Sequence, residues 1–313
     1  MRVFLAGGTG VIGRPLVARL LAARHEVGVL ARSDTATEQV AAMGAEPVEG
    51  DALNWRSLRY AVKTFAPDLV INQLTSLPRS LLNLRQGLRS AKLTNRLRTE
   101  AAPVLVDAAI ANGAARVITQ SIAFAQRPGP GVRIESDPLY LDAPSSHGKV
   151  VRAVAAVEAA TLDAAGSDGG VRRSGAFYGP GTYFAAGAAY PHWLRRGRRP
   201  IVGEGRGVWG LVHVDDAVEA TLAAIDGPPG VYNICDDAPV GAGELFHWMA
   251  YALGTKQPRT VNPRWFGAGP ATILRYLIDE QPAVSSERAR RHLRWSPRHD
   301  DWRDHLARVL RGE

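Results

Sequence analysis

Val3-Phe4-Leu5-Ala6-Gly7-Gly8-Thr9-Gly10-Val11-Ile12-Gly13 runs from a short apolar segment straight into spaced glycines. Leu16, Val17, Leu20 and Leu21 then recur at helical spacing, with Pro15 near the first turn, where a missing N–H does little harm. Val27-Gly28-Val29-Leu30-Ala31 follows as a second apolar run. Strand, glycine turn, helix and strand together make a βαβ unit of the size that binds dinucleotides. Glycines at positions 7, 10 and 13 let the backbone close on a pyrophosphate, whose charge meets the first N–H groups and the positive end of the helix. Gly7, Thr9, Gly10, Val11, Ile12 and Gly13 are therefore the expected cofactor cradle.

The end of the second strand selects the cofactor. A carboxylate there would accept from the ribose 2′-hydroxyl, whereas Arg32-Ser33 offers a guanidinium and a hydroxyl suited to a 2′-phosphate. NADP is the expected cofactor. Asp34, next in the chain, keeps NAD open.

Further strands are expected at Pro47-Val48-Glu49, Leu69-Val70-Ile71, Arg116-Val117-Ile118-Thr119 and from Val171 to Phe177, separated by alanine-rich helical stretches such as Val104 to Ala111. Alternating β and α segments with continuously apolar strands imply a parallel sheet covered on both faces. From Gly179 onward, clusters such as Gly179-Pro180-Gly181 and Gly227-Pro228-Pro229-Gly230 break that rhythm. With 313 residues, 46% of them hydrophobic, the chain has room for one large or two modest cores. The expected architecture is α/β, a Rossmann doubly wound parallel sheet with a smaller C-terminal substrate domain. Residues 1–178 form the Rossmann part, completed by about 211–238, and 179–210 with 239–313 form the substrate domain.

No apolar run approaches the ~20 residues that span a bilayer, and strand-like sequence begins at Arg2, so a cytoplasmic protein without membrane attachment is expected. The single cysteine, Cys235, lies in an apolar run and reads as a core residue. The net charge is +8, yet only four of the 38 basic residues are lysines, and the arginines are scattered. The densest groups, Arg79 to Arg98 and Arg195-Arg196-Gly197-Arg198-Arg199, lack the interleaved aromatics of a base-stacking surface. A small-molecule substrate is expected as partner, with no nucleic acid, and a homodimer is the assembly left open. No histidine pair has zinc-ligand spacing beside a glutamate, and no Gly-x-Ser-x-Gly elbow occurs, so neither a metal site nor a serine hydrolase is expected.

The glycine segment resembles the fingerprint of the extended short-chain dehydrogenase/reductases, the NAD-dependent epimerase/dehydratase family. Gly50-Asp51 sits where that family places an adenine-contacting aspartate, and Asp51 with Ala52 is the implied adenine site. Asn95 to Thr99 is similar to its Asn-x-x-Gly-Thr helix start, with Arg98 in place of the glycine. Tyr178-Gly179-Pro180-Gly181, Val212-His213-Val214-Asp215-Asp216, Tyr232-Asn233-Ile234 and Leu293-Arg294-Trp295-Ser296-Pro297 continue the resemblance in the family's order. It spans nearly the whole chain.

In that family hydride transfer depends on a serine or threonine after the fifth strand and a Tyr-x-x-x-Lys pair on the next helix. Ser121 matches the serine, and the resemblance implies that its hydroxyl holds a substrate oxygen. The tyrosine is missing. If Lys149 is the family lysine, Ser145 stands at the tyrosine position; if Glu158 marks the glutamate one turn beyond the pair, Val150 and Val154 stand in its place. Neither register supplies a phenol. Tyr140, Tyr178, Tyr183, His147 and His213 are the replacement acids available, and His147 is the one most easily tuned near neutral pH. Ser121, His147, Lys149 and Tyr178 are the expected catalytic residues.

Trp209 falls where related enzymes of nucleotide sugars carry a diphosphate-clamping arginine, and Arg206 is three residues away. Phe177, Tyr183, Phe184, Trp193 and Trp209 predict either an aromatic pocket for a carbon-rich molecule or a packed domain junction. The leading expectation is an NADP(H)-dependent oxidoreductase moving hydride to or from a carbonyl or alcohol carbon with an atypical proton donor. A non-redox cyclase, dehydratase or isomerase on the same fold, and an inactive NADP-binding regulator, are the alternatives.

Overall fold

The computed structural model describes residues 1–78, 84–197, 201–262 and 271–312. In chain order, β1 (Arg2–Ala6), α1 (Gly13–Ala22), β2 (Glu26–Ala31), α2 (Asp34–Ala42), β3 (Glu46–Glu49), α3 (Trp55–Phe65) and β4 (Leu69–Asn72) form the first half. There follow α4 (Leu84–Arg96), a π-helical turn (Leu97–Ala101), α5 (Ala102–Ala111), β5 (Arg116–Ile122), α6 (Ser145–Leu162) and β6 (Asp168–Ser174). Next come β7 (Ala176–Tyr178), α7 (Ala189–Arg195), β8 (Ile201–Val202), β9 (Val208–Trp209), β10 (Leu211–His213), α8 (Val214–Asp226) and β11 (Gly230–Ile234). The chain closes with β12 (Val240–Gly241), α9 (Ala242–Ala252), β13 (Thr260–Val261), α10 (Ala271–Arg275), a second π-helical turn (Tyr276–Glu280), α11 (Glu287–Leu293) and α12 (Trp302–Arg311).

Seven parallel strands lie in the order β11-β6-β5-β4-β1-β2-β3. The order reverses between β1 and β4, and ligands of such sheets bind in the crevice at that point, outside the carboxyl ends of the strands. Side chains of a strand alternate between faces, and β1 shows why its sequence is apolar throughout. Val3 and Leu5 enter a core with Leu16, Val17, Val218 and Tyr232, while Phe4 and Ala6 enter the opposite core with Phe65, Leu105 and Val106. A third core, with Phe184, Tyr190, Trp209, Phe246 and Trp302, joins β9, α7, α9 and α12. Among the described residues no helix is long and apolar enough to cross a membrane.

The expected strand from Val171 to Phe177 is two strands. At Gly175, between them, a Cβ would lie 2.2 Å from the Gly210 carbonyl oxygen, so only glycine allows the close approach there. The Gly175 N–H donates to Ile234, after which β7 leaves the main sheet to pair with β10. β5 also runs on past Thr119 to Ile122, carrying Ser121 within the sheet. Of the basic groups, Arg79, Arg198 and Arg199 lie outside the described residues.

Candidate active site

The glycine turn fits a dinucleotide. Gly7 has φ +97°, and a Cβ there would meet the Gln73 carbonyl at 2.7 Å; at Gly13 it would meet the Gly7 oxygen at 2.2 Å. At Gly10 the nearest atom would be the Gly7 oxygen at 3.3 Å, so the outer side of the turn is open. Helix α1 has no side-chain cap, and the Val11, Ile12 and Gly13 amides have no acceptor among the described residues. Orphan amides at an uncapped N-terminus beside an open glycine are the donor set that a pyrophosphate requires.

Arg32 and Ser33 stand exposed after β2. Ser33 caps α2, its Oγ accepting from Ala36 N at 3.4 Å, which leaves its O–H free to donate. Arg14, unremarked in the sequence, bridges Thr9 O at 2.9 Å and Gln39 Oε1 at 3.2 Å, adding a guanidinium between the turn and α2. Asp51 follows β3 half-buried; its Oδ1 accepts from Leu53 N at 2.9 Å and its own N–H donates to Ser57 Oγ. Ala52 beside it is buried.

On the other side of the crevice, α6 turns His147, Val151, Val154, Glu158 and Thr161 inward. Ser121 is fully buried, and its hydroxyl donates to Glu158 Oε1 at 2.6 Å. Arg173, from β6, holds the same carboxylate through Nε at 2.9 Å and Nη2 at 2.6 Å. The serine is thus tied into a buried ion pair. Lys149 is exposed on α6, and Ser145 is exposed at the helix start. One and two turns before Glu158 stand Val154, fully buried with Ile122, Ala143 and Val151, and Val150, half-buried against the same cluster.

The other expected acids are placed unlike one another. His147 is 2% exposed, in contact with the Tyr276 ring at 4.3 Å and edge-on to Tyr140 at 5.6 Å. Its Nε2 has no hydrogen-bond partner among the described residues, and burial lowers its pKa to about 4, away from neutrality. Tyr178 is wholly buried under the edge of His213; its hydroxyl faces the His299 carbonyl at 3.4 Å, and burial raises its pKa far above the usual phenol range. Tyr183 donates to Pro78 O at 2.7 Å, and burial pushes it up to about 12. Phe184 and Trp209 are buried in the third core, where Tyr190 and Phe246 stack on them edge-to-face, and Trp209 Nε1 donates to Leu277 O at 2.6 Å. These two aromatics therefore pack a junction and do not line an open pocket.

His213, Asp215 and His299 come within metal-ligand range of one another. The two rings stack at 3.8 Å and 24°, so their in-plane lone pairs do not converge. Their Nδ1 atoms are also engaged, with Asp215 N at 3.2 Å and Asp216 Oδ2 at 2.9 Å. Asp216 accepts as well from the amides of Arg298 and His299, tying the C-terminal segment to α8.

The sequence model of the NAD dependent epimerase/dehydratase family matches residues 3–235. The 3-diazoavenalumate denitrifying reductase of a Streptomyces species is 40% identical, over 98% of this chain and 100% of that protein. Among solved structures, a UDP-glucose 4-epimerase of Thermotoga maritima with UDP-glucose superimposes with a TM-score of 0.77 at 19% identity, covering 100% of this chain and 98% of that one. A dTDP-glucose 4,6-dehydratase of Streptomyces venezuelae with NAD bound gives 0.77 at 22% identity, covering 100% and 96%.

Proposed function

The chain belongs to the NAD-dependent epimerase/dehydratase family, and on that basis we propose that it is an NADP-dependent reductase delivering hydride to a diazo-bearing carbon of a carbon-rich, carboxylated small molecule. The coarser statement, an NAD(P)-dependent oxidoreductase-type enzyme, follows from the family together with the reductase relative. One observation carries the finer reading. The positions on α6 one and two turns before Glu158 are Val154 and Val150, and Ser121 itself donates to Glu158, so among the described residues none of these three positions offers a free acid to a carbonyl oxygen.

Reduction of a ketone requires a proton at oxygen as hydride arrives at carbon. A diazonium carbon requires none: hydride forms the new C–H bond, and dinitrogen leaves with the electron pair of the broken C–N bond. The relative's name describes reductive loss of nitrogen from a diazo carboxylate, chemistry that suits an apolar α6 face. A bound NADPH supplies the hydride. The Val11, Ile12 and Gly13 amides hold its pyrophosphate, and Arg32 and Ser33 take the 2′-phosphate. Carbonyl reduction remains the second reading, favoured by the unpartnered Nε2 of His147.

The experiment compares an aryl diazonium carboxylate with the aryl ketone of the same skeleton, under NADPH. The proposal expects enzyme-dependent release of one dinitrogen per NADPH consumed and little turnover of the ketone. The reverse preference would overturn it.

A further inference from the structure

Arg98 is a buried cation close to Glu158. It stands in the π-helical turn Leu97–Ala101 between α4 and α5, a distortion frequent at functional sites. Its side chain is 7% exposed and makes no hydrogen bond or ion pair with any described residue. Glu158 is the carboxylate whose charge reaches it, but the oxygens of Glu158 are already engaged by Arg173 and Ser121. Two guanidiniums thus share the charge of one carboxylate, and only that of Arg173 is hydrogen-bonded to it. The other is costly to bury unless something pairs with it.

The position of Arg98 says what that partner is. Thr94, one turn earlier on α4, accepts from Ser76 N at 3.0 Å, in the loop after β4 that lays Gln73 against Gly7. On its other side the π-turn packs on α6. Arg98 therefore lies between the loop after β4 and α6, near the Glu158 carboxylate that Ser121 of β5 also meets. Burial lowers its pKa to about 10, which leaves it charged at neutral pH, so it binds and does not donate protons.

We propose that Arg98 is the anion-binding residue of the acceptor site, receiving a carboxylate or phenolate oxygen of the substrate through its guanidinium. The inference rests on reading the crevice as a reductase site. The phosphates of a dinucleotide are an alternative source of the anion, but Val11, Ile12, Gly13 and Arg32 already provide for them at the other end.

The probes are 4-hydroxybenzoate and its uncharged methyl ester, titrated calorimetrically against the protein saturated with NADP. The wild type is expected to bind the acid at least tenfold more tightly than the ester. Arg98→Gln should erase that preference, leave the Kd for NADPH within twofold and not lower the Tm of the ligand-free protein, whereas loss of a structural arginine would lower it. Arg98→Lys should retain part of the preference, and it decides the matter if the glutamine variant does not fold. No preference in the wild type, a preference that survives both substitutions, or weakened NADPH binding instead would overturn the proposal. An intact acid preference without diazo turnover would remove the proposed reaction and leave the role of Arg98; turnover with no acid preference would do the opposite.

Discussion

Ser121 Oγ donates to Glu158 Oε1 at 2.6 Å, joining the end of β5 to α6 beneath the crevice. Arg173 closes the same carboxylate from β6, so three neighbouring elements meet on one buried charge pair. The hydroxyl expected to orient a substrate oxygen is buried and bonded to Glu158.

Removing Glu158 should therefore act on stability. Glu158→Ala leaves the buried Arg173 guanidinium unpaired and is expected to cost about 3–5 kcal/mol in urea unfolding. Ser121→Ala, which removes one donor and leaves the ion pair, should cost roughly 1–2 kcal/mol and keep turnover within a few-fold. Lys149→Met, on the exposed face of α6, should change neither. A collapse of turnover in Ser121→Ala at unchanged stability would return the serine to the chemistry.

The proposed preference for NADP rests on Arg32. A charge-assisted contact to a 2′-phosphate contributes about 1.5–3 kcal/mol, so Arg32→Ala should weaken NADPH binding at least tenfold and leave NADH nearly unaffected. Fluorescence titration of both cofactors checks this; an equal loss for both contradicts it.

Much of this was readable in advance, for physical reasons. The glycine turn is legible because only glycine tolerates the contacts at Gly7 and Gly13, and the strands because both their faces are buried. The break at Gly175 was not, since its cause is the carbonyl of Gly210, far along the chain. Nor could spacing show that Ser121 faces Glu158 and Arg173, or that Arg98 turns inward among residues that read as a scattered basic face. Lys149 and Val154 compete on pattern alone; spacing could not show that Glu158 is buried while Lys149 is exposed.

Acid should destabilise the protein through His147. Its pKa is lowered in the folded state from 6.5 to about 4, so as pH falls between those values the unfolded chain takes up a proton that the native state refuses. His213 is lowered to about 4 for the same first cause and adds to the slope. Urea midpoints are expected to fall from pH 6.5 to pH 4, and His147→Phe should flatten part of that fall. An unchanged slope in the variant would contradict the neutral, buried state of His147.

The central claim, hydride delivery to carbon without a phenol donor, is tested most directly by isotope. NADPH carrying deuterium at the transferable C4 position is incubated with the enzyme and an aryl diazonium carboxylate in ordinary water. The account predicts one deuterium in the product, at the carbon that lost nitrogen, with one dinitrogen released per NADPH oxidised. Product carrying only solvent hydrogen at that carbon, or formed without oxidation of NADPH, would contradict it.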